Sequence, residues 1–167
     1  VTLGLIPGKK KSLKRKGVPY KRMAEHIGAF PLVMVSPRDG DLVRGTGTDR
    51  RRWLDMVISQ SDSSYLEALM RYNNALEQRN RLLHEMMPDR VMLEVLEMTL
   101  DDAGMAIHRK RCEMLVRLEE IFSSRYAQVS GDAEQVKLTY ESPLNAEGST
   151  LMQLLEANRQ RDMLLHH

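Results

Sequence analysis

Leu93, Leu96, Leu100, Ala103, Ile107, Met114, Leu118 and Ile121 recur mostly at three- and four-residue steps. That spacing places them on one face of a single α-helix, which at 1.5 Å per residue could run for roughly 35 residues, or about 50 Å. Upstream, Leu66, Leu69, Leu76 and Leu83 mark a second stripe, interrupted by Asn73 and Asn80. Met86-Met87-Pro88-Asp89 separates the two. Proline is tolerated only at a helix start, so the pair is expected to fold back as an antiparallel hairpin. The loop Gly45-Thr46-Gly47-Thr48-Asp49 precedes this region, with Thr48 or Asp49 expected to cap the first helix.

The flanks read differently. Val1 to Ile6, the turn pair Pro7-Gly8 and the arm Ser12 to Arg15 predict a β-hairpin with lysines near its tip, followed by Gly17-Val18-Pro19-Tyr20. A short helix is expected around Lys21 to Ile27, and a buried strand at Pro31-Leu32-Val33-Met34-Val35. Ser36 to Asp41 reads as a turn. Beyond the long helix, Ser130-Gly131-Asp132 is a stop, Gln135 to Glu141 alternates like an exposed strand, and Thr150 to about Leu165 forms a last helix. The expected class is α+β, predominantly helical. Its divisions are 1–48, a β-rich segment with the basic hairpin; 49–130, the helix pair; and 131–167, a returning strand and helix. The chain opens on an apolar strand residue without an initiator Met, so upstream sequence is expected, and His166-His167 is either another cut or a residual tag.

Charge is uneven. The 167 residues net +2, but residues 1–24 hold eight Lys or Arg and no Asp or Glu; residues 1–52 net +9 and 53–167 net −7. A basic third of this kind marks contact with a polyanion, whereas the acidic remainder suits a solvated helical surface. No apolar run reaches the roughly 20 residues that span a bilayer, so no membrane role is expected. Cys112 is alone and cannot form an internal disulfide, which suits a reducing compartment such as the cytoplasm.

Catalytic spacing is missing. Gly4-Leu5-Ile6-Pro7-Gly8-Lys9-Lys10 has one residue too few between its glycines for a P-loop, and Lys10 stands where a hydroxyl should bind Mg²⁺. Gly45-Thr46-Gly47 lacks the third glycine of a dinucleotide fingerprint. His108 and Cys112 lie four apart on one helix face without a second ligand pair, and read as a polar group and a small hydrophobe. Asp101-Asp102 and Glu119-Glu120 diverge by about 100° on a helix and make poor acid/base pairs. No catalytic or metal residue is assigned.

Three features carry chemistry. Lys9, Lys10, Lys11, Lys14, Arg15 and Lys16 are candidates for phosphate contact through counterion release. With only Tyr20 nearby for stacking, duplex backbone is favoured over single strands; the alternative is a hairpin tip kept soluble by charge. Arg50-Arg51-Arg52-Trp53-Leu54-Asp55 opens a helix where cations oppose the macrodipole. Asp49 and Asp55 could pair with two of the arginines while Trp53 and Leu54 pack inward; a structural salt-bridge knot and an interface contact both fit. Seven of the twelve methionines lie between Met70 and Met114, and with Arg79, Asn73 and Asn80 in the seam this arm could accept a partner protein or simply fill a core.

Together these segments resemble the bacterial RecF family of recombination-repair ATPases. Ser36-Pro37-Arg38-Asp39-Gly40-Asp41-Leu42-Val43-Arg44-Gly45 followed by Arg50-Arg51-Arg52-Trp53-Leu54-Asp55 matches the family's S-P-x-D-x-x-L-[IV]-x-G and R-R-R-[FW]-L-D block. Tyr72 to Asn80 matches its Y-x-x-x-L-x-Q-R-N stretch. Arg38 stands at a position often acidic in relatives, and the turn holds no glutamine of the Q-loop kind.

The resemblance implies part of a split ABC-type ATPase head with an inserted helical arm. It implies ATP and Mg²⁺ as cofactors of the full-length protein, none bound by this chain, whose relatives' P-loop, signature motif, Walker B acid and switch histidine lie outside these residues. The chain itself is therefore expected not to hydrolyse ATP. Double-stranded DNA, RecO, RecR and a homodimer are the implied partners. The competing reading is a non-catalytic helical interaction module with a solubilising basic hairpin.

Overall fold

The computed structural model describes Val1 to Leu165 apart from Ile6, Pro7, Lys9, Lys10, Val33, Val35 and Met86. Its strands are β1 (Thr2–Gly4), β2 (Ser12–Arg15) and β3 (Val18–Pro19); its α-helices are α1 (Asp41–Arg44), α2 (Gly47–Ser61), α3 (Ser63–Leu83), α4 (Arg90–Ser130) and α5 (Leu151–Leu165). Single 3-10 turns cover Met23–His26, Pro37–Gly40 and Pro143–Asn145. The class is α+β and predominantly helical. None of the described helices is long and apolar enough to cross a membrane. Two compact units divide the chain after Leu66.

In the first unit β2 is the central strand, antiparallel to both neighbours. Thr2, Leu3 and Gly4 stand opposite Lys14, Leu13 and Ser12, and Arg15 stands opposite Val18. The two residues between Arg15 and Val18 have positive φ, 49° at Lys16 and 83° at Gly17. That is a type I′ turn, whose twist matches the paired strands. Glycine takes this conformation freely, whereas a lysine loses about 1 kcal/mol there.

Among the described residues, the buried strand expected at 31–35 is not found. Pro31, Leu32 and Met34 belong to no strand, Leu32 and Met34 are 74% and 79% exposed, and Val33 and Val35 lie outside the described residues. Instead of a ladder, the Leu32 amide donates to the Gln60 side chain at 3.1 Å. Gly28, at φ 82°, brings this loop so close to α2 that a Cβ would collide with the Gln60 carbonyl.

The first long helix is also not continuous: Asp62 breaks it. Its backbone N–H closes α2 on the Ile58 carbonyl, and its carboxylate accepts from the Tyr65 amide at 3.0 Å to open α3. An aspartate at φ −135° thus ends one helix and caps the next. The cap of α2 is Thr46, two residues before Thr48 and three before Asp49, the expected caps, with Asp49 in the third helical position.

In the second unit α3 and α4 run antiparallel, as expected: Arg71 pairs with Asp102 and Arg79 with Glu97. Asp89 caps α4 by accepting from the Val91 and Met92 amides, with Pro88 just outside. Gly131, at φ 62°, ends it after 41 residues instead of about 35. Leu93, Leu96, Leu100, Ala103 and Ile107 are buried, while Ile121 is exposed. In this unit the buried residues of α3 are Ala68, Ala75, Arg79, Leu82 and Leu83; of the expected stripe Leu83 is in the core and Leu76 packs partly buried against it, while Leu69 is half-buried. Each fully buried leucine contributes roughly 1.5–3 kcal/mol.

α5 runs back along α4. The Met152 amide donates to Asp101, Arg159 pairs with Glu97, and Leu151 packs where Gly104 leaves room beside Tyr72. The expected strand at 135–141 has no ladder partner among the described residues. Its alternation is real, with Val136, Leu138 and Tyr140 half-buried, but it lies against α4. The Ser123 hydroxyl donates to the Val136 carbonyl, and Arg111 donates to the Tyr140 hydroxyl at 3.1 Å.

Candidate nucleic-acid interface

Strand alternation distributes the basic cluster. On β2, Leu13 is buried and shares a face with Arg15, while Lys14 points to the other face. The Arg15 guanidinium lies 5.6 Å from the Phe30 ring centroid, a cation–π contact. Lys14 stands between Thr2 and Pro19 in the ladder, and Lys16 occupies the turn. Lys11, Lys14, Arg15 and Lys16 are all exposed, and no carboxylate pairs with the three lysines among the described residues. Lys9 and Lys10 lie outside the described residues. Phe30 was not a sequence candidate; an aromatic fifteen residues from its cation leaves no local signal.

The arginine triplet is arranged around the start of α2. The Asp49 carboxylate accepts from the Thr46 amide and hydroxyl, both at 2.8 Å. Those bonds, the hydroxyl's above all, hold it below the usual carboxylate range, and Arg52 adds to the effect. Arg50 donates to the Leu42 and Gly45 carbonyls at 3.2 and 3.0 Å, and Arg51 to the Thr48 hydroxyl at 3.0 Å. The helix thus answers its N-terminal cations with carbonyl oxygens and one capping carboxylate. Asp55 accepts the Tyr65 hydroxyl. Leu54 packs inward, but Trp53 keeps 36% exposure, contrary to expectation.

Arg79 is not on a partner-facing seam. It is 2% exposed, donates to Glu97 at 3.2 Å and to Asp162 at 2.7 Å, and Glu97, wholly buried, also takes Arg159. In the sequence Arg79 and Glu97 each interrupt an apolar stripe, but nothing local pairs them with each other or with Arg159 and Asp162.

Of the first glycine motif, Ile6, Pro7, Lys9 and Lys10 lie outside the described residues. Gly4 pairs with Ser12 inside a hairpin, with no helix following, and at Gly45-Thr46-Gly47 the Asp49 carboxylate already occupies the Thr46 N–H. His108 and Cys112 approach to 3.7 Å. Burial pulls the imidazole below its usual range, with Arg111 adding to the effect, and burial pushes the thiol above its own. Among the described residues no three His, Cys, Asp or Glu side chains converge on a metal position.

No protein-family model matches the chain. It is 40% identical over 163 residues to the DNA replication and repair protein RecF of Porphyromonas gingivalis, covering 98% of this chain and 44% of that protein. Identity is 45% over 156 residues with the RecF of Parabacteroides distasonis, covering 93% and 42%. With that of Bacteroides fragilis it is 44% over 163 residues, covering 97% and 44%. The chain belongs to the RecF family. It spans less than half the length of these curated RecF relatives. The fold agrees with two solved structures of the recombination mediator RecF of the RecFOR pathway, one described as RecF-ATPrS and one as RecF-ATP. Both superpose with a TM-score of 0.84 over 98% of this chain, at 25% and 27% identity, and the match covers 45% and 46% of those RecF chains.

Proposed function

We infer that this chain is the arm and part of the head of a RecF-type recombinational repair ATPase, and that its own contribution is contact with duplex DNA through the basic hairpin. In that reading residues 1–48 belong to the head, 49–130 to the arm's helix pair and 131–167 to its returning segment. The whole protein binds ATP with Mg²⁺, dimerises, works in the cytoplasm near single-strand gaps, and helps RecO and RecR load recombinase. Arg50, Arg51, Arg52, Trp53 and Asp55 serve structure or the dimer interface. The observation that carries the reading is 40–45% identity to RecF proteins across 93–98% of the chain.

Exposed lysines without local carboxylates support the DNA contact, because such charges bind by releasing counterions. The test is fluorescence anisotropy with duplex DNA at two salt concentrations, comparing this chain with a variant in which Lys9, Lys10, Lys11, Lys14, Arg15 and Lys16 are alanine. Salt-sensitive binding that the variant loses is the expected result. Equal or absent binding in both shifts the reading to an interaction module, which the exposed Val91, Val95 and Met98 along α4 also favour.

A further inference from the structure

The hairpin's basic residues are not equivalent, and backbone conformation separates them. A type I′ turn requires positive φ at both central positions, which Asn, Asp and Gly meet most readily. Lys16 takes the first of them at φ 49°. A short polar side chain offsets that conformation by bonding its own backbone, and a lysine has no such recourse. Among the described residues no carboxylate pairs with its side chain, which is exposed, and the first carboxylate in the sequence is Glu25. Arg15, by contrast, is engaged by Phe30, and Lys14 lies within the ladder.

We propose that Lys16 contacts the phosphodiester backbone of duplex DNA directly, held at the β2–β3 turn in a conformation that a lysine otherwise disfavours. Arg15 braces the hairpin on Phe30. The assignment rests on the duplex-binding reading above. A compact ammonium at a two-residue tip reaches a phosphate without reading bases, which suits sequence-independent binding.

The experiment compares this chain with Lys16→Asn, Lys16→Gly and Lys16→Arg in thermal melting and in anisotropy titrations with a fluorescein-labelled DNA duplex at several salt concentrations. Lys16→Asn and Lys16→Gly are expected to melt above the parent, since both relieve the turn. They should nevertheless bind severalfold more weakly, with the slope of log K against log salt reduced by about one. Lys16→Arg keeps the charge and is expected to bind like the parent. If Lys16→Asn binds as tightly and as salt-steeply as the parent, the assignment to Lys16 is wrong while the duplex-binding reading stands. A parent chain that binds no duplex overturns both.

Discussion

Arg79 and Glu97 are charged groups at 2% and 0% exposure. Removing each from water costs several kcal/mol, which only complete pairing offsets. Here Asp162 and Arg159 complete the set, two cations against two anions. Arg79→Ala leaves Glu97 short of one partner and is expected to destabilise the chain by about 3–5 kcal/mol in urea unfolding. A double variant, Arg79→Met with Glu97→Leu, should cost clearly less because neither buried charge is then orphaned. A loss below about 1 kcal/mol for the single variant would mean that the network adds no stability. The sequence displayed Arg79 as an interruption in an apolar seam, and that observation was sound. What it lacked was the extent of the seam, which packing sets: α3 turns Ala75 and Leu82 inward, and Arg79 goes with them.

Helices here are bounded by single residues with defined capping roles. Asp89 accepts from two amides at the start of α4, at 2.9 and 3.2 Å. Asp89→Ala is expected to cost about 1 kcal/mol and to speed hydrogen exchange at Val91 and Met92 while amides near Ala103 keep their protection. Uniform acceleration along α4 would instead indicate global loss of stability. The α4 stop at Gly131 and the fold-back after Met87 were legible, because proline and glycine signals act locally. The break at Asp62 was not, since an aspartate inside an apolar-periodic stretch reads equally well as solvent-facing. Residues 135–141 show the complementary error. Alternation of period two revealed one buried edge, but it does not say whether a strand or a helix covers that edge, and here α4 does.

At the scale of the molecule, the class, the antiparallel pair and the RecF relationship were all readable, because they rest on long periodic stripes and on the Ser36 to Asp55 block. Arg15 on Phe30 and the four-charge network were not, since each joins residues distant in sequence. α5 is the element that closes the second unit: it supplies Asp162 and Arg159 to the buried charges and Leu151 to the space beside Gly104. Deleting residues 151–165 is therefore expected to raise amide exchange across the facing turns of α3 and α4 by at least about tenfold. Unchanged protection would show that α3 and α4 are sufficient alone.

The burial of α4 is concentrated between Leu93 and Ile107, yet the helix continues to Ser130. Its 41 residues rise about 60 Å, and one end is gripped while the other is merely accompanied by residues 132–145. The geometry is that of a lever arm. From Ile107 to Ser130 the helix rises about 35 Å, so a tilt of about 5° at the gripped segment carries the far end through about 3 Å.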